Sequence, residues 1–256
     1  MMTVLRRLAI ILIIVLFVSN AFAADEILVA AASDLQFALP ELAQKFEKQT
    51  GVKVNLTFGS SGNFTTQIRN GAPFDLFFSA DLNYPRQLAA DGLADPATLY
   101  HYADGKIVLW APITSKLDLQ RGFNVLLQPG VHKISIANPA HAPYGRAAVA
   151  ALQHENLYEK VETKLVLGEN ISQAAQFVQS GNADVGIIAL SLALAPSARG
   201  KGKYYEVPAA DYPPIQQGVV LLKSSAHKSV AVKFLNFLKT PESQALLAHF
   251  GFSFTQ

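Results

Sequence analysis

Hydroxyl groups and helix starts at the ends of strands are the chemically suggestive feature of this chain. In the stretch ILVAAASDLQFALPELAQKF, from Ile27 to Phe46, an apolar run stops at Ser33 and a helical pattern begins at once. Ser33 with Gln36 three residues on reads as a capping box, which marks a helix N-terminus. Free N–H groups and the helix dipole at such a point favour an anion, although a serine there can also do no more than cap. The arrangement recurs. Gly59-Ser60-Ser61-Gly62-Asn63 follows a second strand pattern, Asn138 to Gly145 (NPAHAPYG) follows another and carries Tyr144, and Gly168-Glu169-Asn170 precedes a helix from Ile171. Hydroxyls of Ser33, Ser60, Ser61 and Tyr144, with N–H groups of Gly62, Gly145 and the helix starts, form a set of neutral donors. No Lys or Arg lies in the Ser33 or Ser60–Ser61 junctions. Donors of this kind hold a dehydrated, fully ionised oxyanion through oriented dipoles rather than a counter-charge.

Motifs for covalent, nucleotide or metal chemistry are absent. There is no G-x-S-x-G, P-loop, H-E-x-x-H or G-x-G-x-x-G, and the six histidines are scattered without ligand spacing. Adjacent Tyr204 and Tyr205 could ligate ferric iron, but they sit in a β-like run where aromatics are favoured anyway.

The elements that must position these donors follow an α/β pattern. Apolar runs at Ile27 to Ala32 and Phe74 to Ala80, and an alternating strand pattern from Val52 to Phe58, each lead into a helical pattern, the first of which Pro40 is expected to kink. Such βα units imply a parallel sheet with its helix N-termini along one edge, where open α/β sheets bind ligands. Lys106 to Ala111 (KIVLWA) is a strand closed by Pro112. A second series then runs through strands at Lys133 to Ala137, Lys164 to Leu167 and Val185 to Leu190. Tyr204 to Val207 and Gly218 to Leu222 bracket a Pro213-Pro214 loop, and helices from Ser229 and Glu242 close the chain. Two such series, joined by KIVLWA on the way out and QGVVLL on the way back, predict two lobes with a ligand cleft between them. A single large doubly wound sheet is the alternative. The predicted division is residues 24–108 with 219–256 for one lobe and 109–218 for the other.

Residues 1–23 read as a secretory signal peptide: Arg6-Arg7, an apolar run from Leu8 to Val18, then Ala21-Phe22-Ala23 as a cleavage site. Removing it takes two of 21 basic residues and none of 19 acidic ones, leaving 19 of each. A net charge of zero argues against nucleic acid or an anionic membrane as partner. No cysteine is present, so neither disulfides nor a lipid-bearing cysteine are expected, and export to a bacterial periplasm is the simplest placement.

AAASDLQFALPEL, FGSSG, NGAPFDLFFSAD, NPAHAPYG and the closing HFGF together resemble the periplasmic molybdate-binding proteins of ABC transporters, over essentially the whole mature chain. The resemblance implies a type II periplasmic-binding-protein fold with two hinge-crossing strands. It further implies capture of molybdate or tungstate between the lobes, delivery to a membrane permease, no catalysis, no cofactor and a monomer. Carried over residue by residue, the family's site falls on the hydroxyls of Ser33 and Ser61, the N–H of Ile171 and the hydroxyl of Tyr144. One subgroup uses a tyrosine at the end of the Gly186-Ile187-Ile188 strand. That position is Ala189 here, which leaves Tyr144 as the phenolic donor. Asp34 is expected at the ligand through its N–H, with its carboxylate turned away. A carboxylate facing the ligand would suit a protonated anion such as hydrogen phosphate instead. Receptors for sulfate or phosphate, and an enzyme on the same fold, are the remaining alternatives at this stage.

Overall fold

The structure, a computed structural model, describes residues 26–254. The expected signal peptide lies outside the described residues. Among those described, ten strands form two sheets. The first has the order β2 (Lys53–Gly59), β1 (Glu26–Ala32), β3 (Leu76–Ser79), β10 (Ile215–Leu221), β4 (Tyr100–Gly105). The second has the order β7 (Leu165–Gly168), β6 (Ile134–Ala137), β8 (Val185–Ala189), β5 (Ile107–Pro112), β9 (Gly202–Glu206). Each contains three parallel strands from one βα series, and each is extended by antiparallel strands. The architecture is two-lobed α/β, and the single doubly wound sheet is excluded.

The parallel strands β3, β6 and β8 are buried along their whole length because helices cover both faces of each sheet, which is why they read as continuous apolar runs. Phe46, Phe78, Phe234 and Phe237 pack under the first sheet, with the rings of Phe46 and Phe234 only 5.0 Å apart and edge-on. Strand β4 was not anticipated. Its sequence, YHYADG, carries two polar residues and a glycine and lacks the apolar run of its neighbours.

The chain passes from the first sheet to the second at Lys106, between β4 and β5, and returns through residues 207–214. All of KIVLWA after Lys106 therefore belongs to the second sheet, and most of QGVVLL to the first. The crossing points fall a few residues before the boundaries expected from the sequence.

Register places the first three serine junctions side by side. Ala32 is opposite Gly59 and Ala31 opposite both Phe58 and Phe78, so β1, β2 and β3 end together. Ser33, Ser60–Ser61 and Ala80 follow immediately. In the second sheet Ala137 pairs with Gly168, bringing the Asn138 loop beside the turn that starts the helix Ile171–Gln179.

Two local expectations fail. Ser33 does not cap a helix: Ser33–Leu35 form one 3-10 turn whose N-cap is Ala32, and the α-helix begins only at Ala38. The Gln36 side chain instead accepts from Ser172 Oγ at 2.6 Å. Pro40 does not kink that helix either. It stands third in Ala38–Thr50, where an N–H would have no intrahelical acceptor.

Candidate functional site

The carboxyl ends of the two parallel strand sets face each other, and a small cavity of about 10 Å3 lies between them. Ser33, Asp34, Ser61, Tyr144 and Ile171 all line it, with Ala32, Gly59, Ser60, Ala80, Ala142 and Pro143. The five residues expected at the site are thus gathered at one place, and each is 3% exposed or less. No Lys, Arg or His lines it.

Each donor is set by its element. Ser61 is the first residue of the helix Ser61–Arg69, capped by Ser60, whose Oγ accepts from the Asn63 N–H at 3.4 Å. Ser61 Oγ accepts the Ala80 N–H at 3.0 Å, which leaves its own proton to point elsewhere. Ile171 opens the helix capped by Asn170, and as a first helical residue its N–H has no intrahelical acceptor. Ser33 is more committed. Its Oγ donates to Asn170 Oδ1 at 3.1 Å and accepts from the Ser172 N–H at 3.2 Å, bridging the lobes. The N–H groups of Gly62 and Gly145, expected as donors, are already used by the carbonyls of His141 at 2.9 Å and Ala142 at 3.0 Å. A Cβ at Gly62 would stand 2.7 Å from that same His141 carbonyl oxygen, so only glycine lets the two lobes approach here.

The Asp34 carboxylate, expected to turn away from the ligand, is held inside the fold by other side chains. It is 1% exposed, and its Oδ2 accepts from Gln217 Nε2 at 2.6 Å and from the Tyr144 hydroxyl at 2.9 Å. Gln217 Nε2 also lies 2.9 Å from the Tyr144 oxygen, and its Oε1 accepts from Tyr102. Asp34 Oδ1 has no hydrogen-bond partner. Burial pushes this carboxyl up to about 6, against the pull of Gln217, Tyr144 and nearby backbone N–H groups. Burial, reinforced by the Asp34 charge, holds the Tyr144 and Tyr102 phenols well above their ordinary value, so both stay protonated.

That shift has a consequence for stability. A carboxyl raised from 3.8 to about 6 on folding leaves the folded state binding more protons between those values. Its contribution is fully present below the lower value and is lost as pH rises through the upper one. Two pH units at about 1.4 kcal/mol each make about 3 kcal/mol. Asp34→Asn should therefore stabilise the protein at neutral pH by up to about that amount, with no gain at the acid end. Urea unfolding of both forms across the range checks this. Equal stabilities at neutral pH would contradict it.

Gln217, Tyr102 and Gly105 were not foreseen. A Cβ at Gly105 would run into the Tyr144 hydroxyl and stand 2.8 Å from Gln217 Nε2, so this glycine makes room for the network at the crossing point. The available signal was a glutamine inside an apolar strand, and it is completely buried. The rims were also unforeseen. Arg146 Nη2 pairs with Asp81 Oδ2 at 2.7 Å, and His141 Nδ1 lies 2.9 Å from Ser60 Oγ. Asn63 donates to Glu169 Oε1 on the same side as His141. A larger, open cleft beside the Arg146–Asp81 pair shares Ala80 and Pro143 with the cavity. Tyr204 and Tyr205 lie on β9, the edge strand of the second sheet, and do not line the cavity. His154, Glu155 and Asp211 come within metal-ligand reach of one another, which their spacing in sequence did not suggest, but they too are outside the cavity.

Two α/β lobes closed over a small pocket of neutral donors define a solute-binding protein of the hinged type. Residues 27–253 match the family model described as bacterial extracellular solute-binding protein. The molybdate-binding protein ModA of Rhodobacter capsulatus is 38% identical over 248 residues, covering 97% of this chain and 96% of that one. The periplasmic molybdate-binding protein of Azotobacter vinelandii superposes with a TM-score of 0.85 at 37% identity, covering 90% of this chain and all of that one. The chain belongs to the bacterial extracellular solute-binding proteins and, within them, to the periplasmic molybdate-binding proteins. The sulfate-binding protein SubI of Mycobacterium tuberculosis, at 20% identity and a TM-score of 0.71, shares the fold.

Proposed function

We propose that this protein captures molybdate, and tungstate with it, as a fully ionised tetrahedral anion in the interlobe cavity. It then delivers the anion to the membrane permease of an ABC importer. In this reading it is a periplasmic, monomeric receptor with no cofactor and no catalytic step, and it hinges at Lys106 and within 207–214. The direct contacts are the hydroxyls of Ser61 and Tyr144, the N–H of Ile171, Asp34 and, once its proton turns from Asn170 Oδ1 to the anion, the hydroxyl of Ser33.

The observation that carries the proposal is the lining of the cavity. All five residues converge there, and no basic side chain is among them. Donors fixed by strand ends and helix starts hold such an anion without reorganising. The names of the relatives point the same way.

A thermal-shift screen of oxyanions tests it, because a ligand that binds only the folded state raises Tm by mass action. Molybdate and tungstate should give large shifts, and sulfate and phosphate small ones. The largest shift from hydrogen phosphate would instead favour Asp34 as an acceptor for a protonated anion.

A further inference from the structure

Asp34 is the part of this site that its surroundings leave incomplete. Asp34 lines the cavity; its Oδ2 already accepts from Gln217 and Tyr144, whereas its buried Oδ1 has no hydrogen-bond partner. The Gln217 amide cannot turn to serve Oδ1, because its other end is held by the Tyr102 hydroxyl. A proton that joins this carboxyl therefore belongs on Oδ1. We propose, on the footing of the oxyanion-capture reading above, that Asp34 takes one proton from solvent as the anion binds. Its Oδ1–H then donates to an anion oxygen, which makes Asp34 a specificity-determining donor.

Three arguments support this. Two negative charges side by side in a water-poor cavity repel strongly, and protonating the carboxyl removes one of them. With its ordinary value already raised to about 6 by burial, Asp34 needs little further push near neutral pH. The Tyr144 proton is also involved. An ionised Asp34 holds it at 2.9 Å, whereas a neutral carboxyl is a weaker acceptor than the anion and releases it to the cavity. One proton taken up thus adds two donors to the site.

The groups facing Asp34 do not take over this titration. Tyr144, from the helix Pro143–His154, and Tyr102, from β4, are both held protonated. Gln217, from β10, does not titrate, and Ser191 Oγ donates to the Asp34 carbonyl at 2.8 Å. No cationic side chain is among the groups that shift Asp34. A site made wholly of donors also discriminates by chemistry. Hydrogen phosphate carries a proton that would meet the one on Asp34, and a fully ionised tetrahedral anion does not.

Isothermal titration with sodium molybdate in buffers of different ionisation enthalpy counts the protons. At about pH 8, well above the Asp34 value, wild type should take up close to one proton per anion. Its Kd should weaken towards tenfold per pH unit on the alkaline side. Asp34→Asn places an amide N–H where Oδ1–H would be. It should show no uptake, a flat pH profile and, at about pH 8, affinity at least equal to wild type. Molybdate binding by wild type with no proton uptake and a flat profile would overturn the proposal while leaving oxyanion capture intact. Loss of affinity in the Asn variant at every pH would overturn the donor role. No molybdate binding by wild type at any pH would remove both readings. Should the Asn variant fail to fold, the wild-type proton count decides alone.

Discussion

Tyr144→Phe should weaken molybdate binding by about 10- to 100-fold while leaving the protein folded. The hydroxyl is buried on the cavity wall and lies between Asp34 Oδ2 and Gln217 Nε2, each 2.9 Å away. A hydrogen bond to a charged acceptor is worth about 1.5–3 kcal/mol, and about 1.4 kcal/mol is a factor of ten. The ring remains, so its packing in the second-lobe core is kept. Ala189 at the end of β8 offers no second phenol to compensate. Tyr204→Phe is the matched control, since Tyr204 is 41% exposed on an edge strand and does not line the cavity. Titration of both variants with molybdate decides the matter. Wild-type affinity in Tyr144→Phe would mean that this phenol does not serve the anion.

Gly105→Ala should disturb both stability and binding, through sterics alone. The residue does not have a positive φ, so alanine suits the backbone there. Its methyl group would overlap the Tyr144 hydroxyl and press on Gln217. Overpacking of this kind costs about 1–3 kcal/mol, and it displaces the two groups that hold Asp34 Oδ2. We expect Tm to fall and molybdate affinity to drop by at least as much as in Tyr144→Phe. Because the hydroxyl makes the closest overlap, adding Tyr144→Phe to Gly105→Ala should recover part of the lost Tm. Strict additivity of the two changes in thermal unfolding would show that the methyl group acts elsewhere.

Much of the fold was legible because β3, β6 and β8 are buried on both faces and appear as apolar runs, while β2 shows as an alternation that stops at glycine. Helix Ile171–Gln179 was read with its observed start, since Asn170 and the apolar face announce it together. Strand β4 was not read, because an edge strand needs no apolar run and this one has polar residues and a glycine. The positions that gather at the cavity could be named because each stands next to the end of an identifiable strand. What those side chains do to one another was not legible. Ser33 bonds to Asn170 and Ser172, and Asp34 to Tyr144 and Gln217, over separations of more than a hundred residues in every case. A local pattern such as Ser33 with Gln36 looked like a capping box because sequence spacing carries no record of a partner from the opposite lobe. The two-rim closure by Arg146–Asp81 and His141–Ser60 was hidden for the same reason.

The most direct test of molybdate capture is isothermal titration of the mature chain with sodium molybdate, repeated with sulfate present in large excess. The account predicts one saturable site per chain whose affinity sulfate leaves nearly unchanged, because donors fixed at strand ends and helix starts that fit the larger tetrahedral anion reach a smaller one less well. Absence of a molybdate heat, or displacement of molybdate by sulfate at comparable concentration, would contradict it.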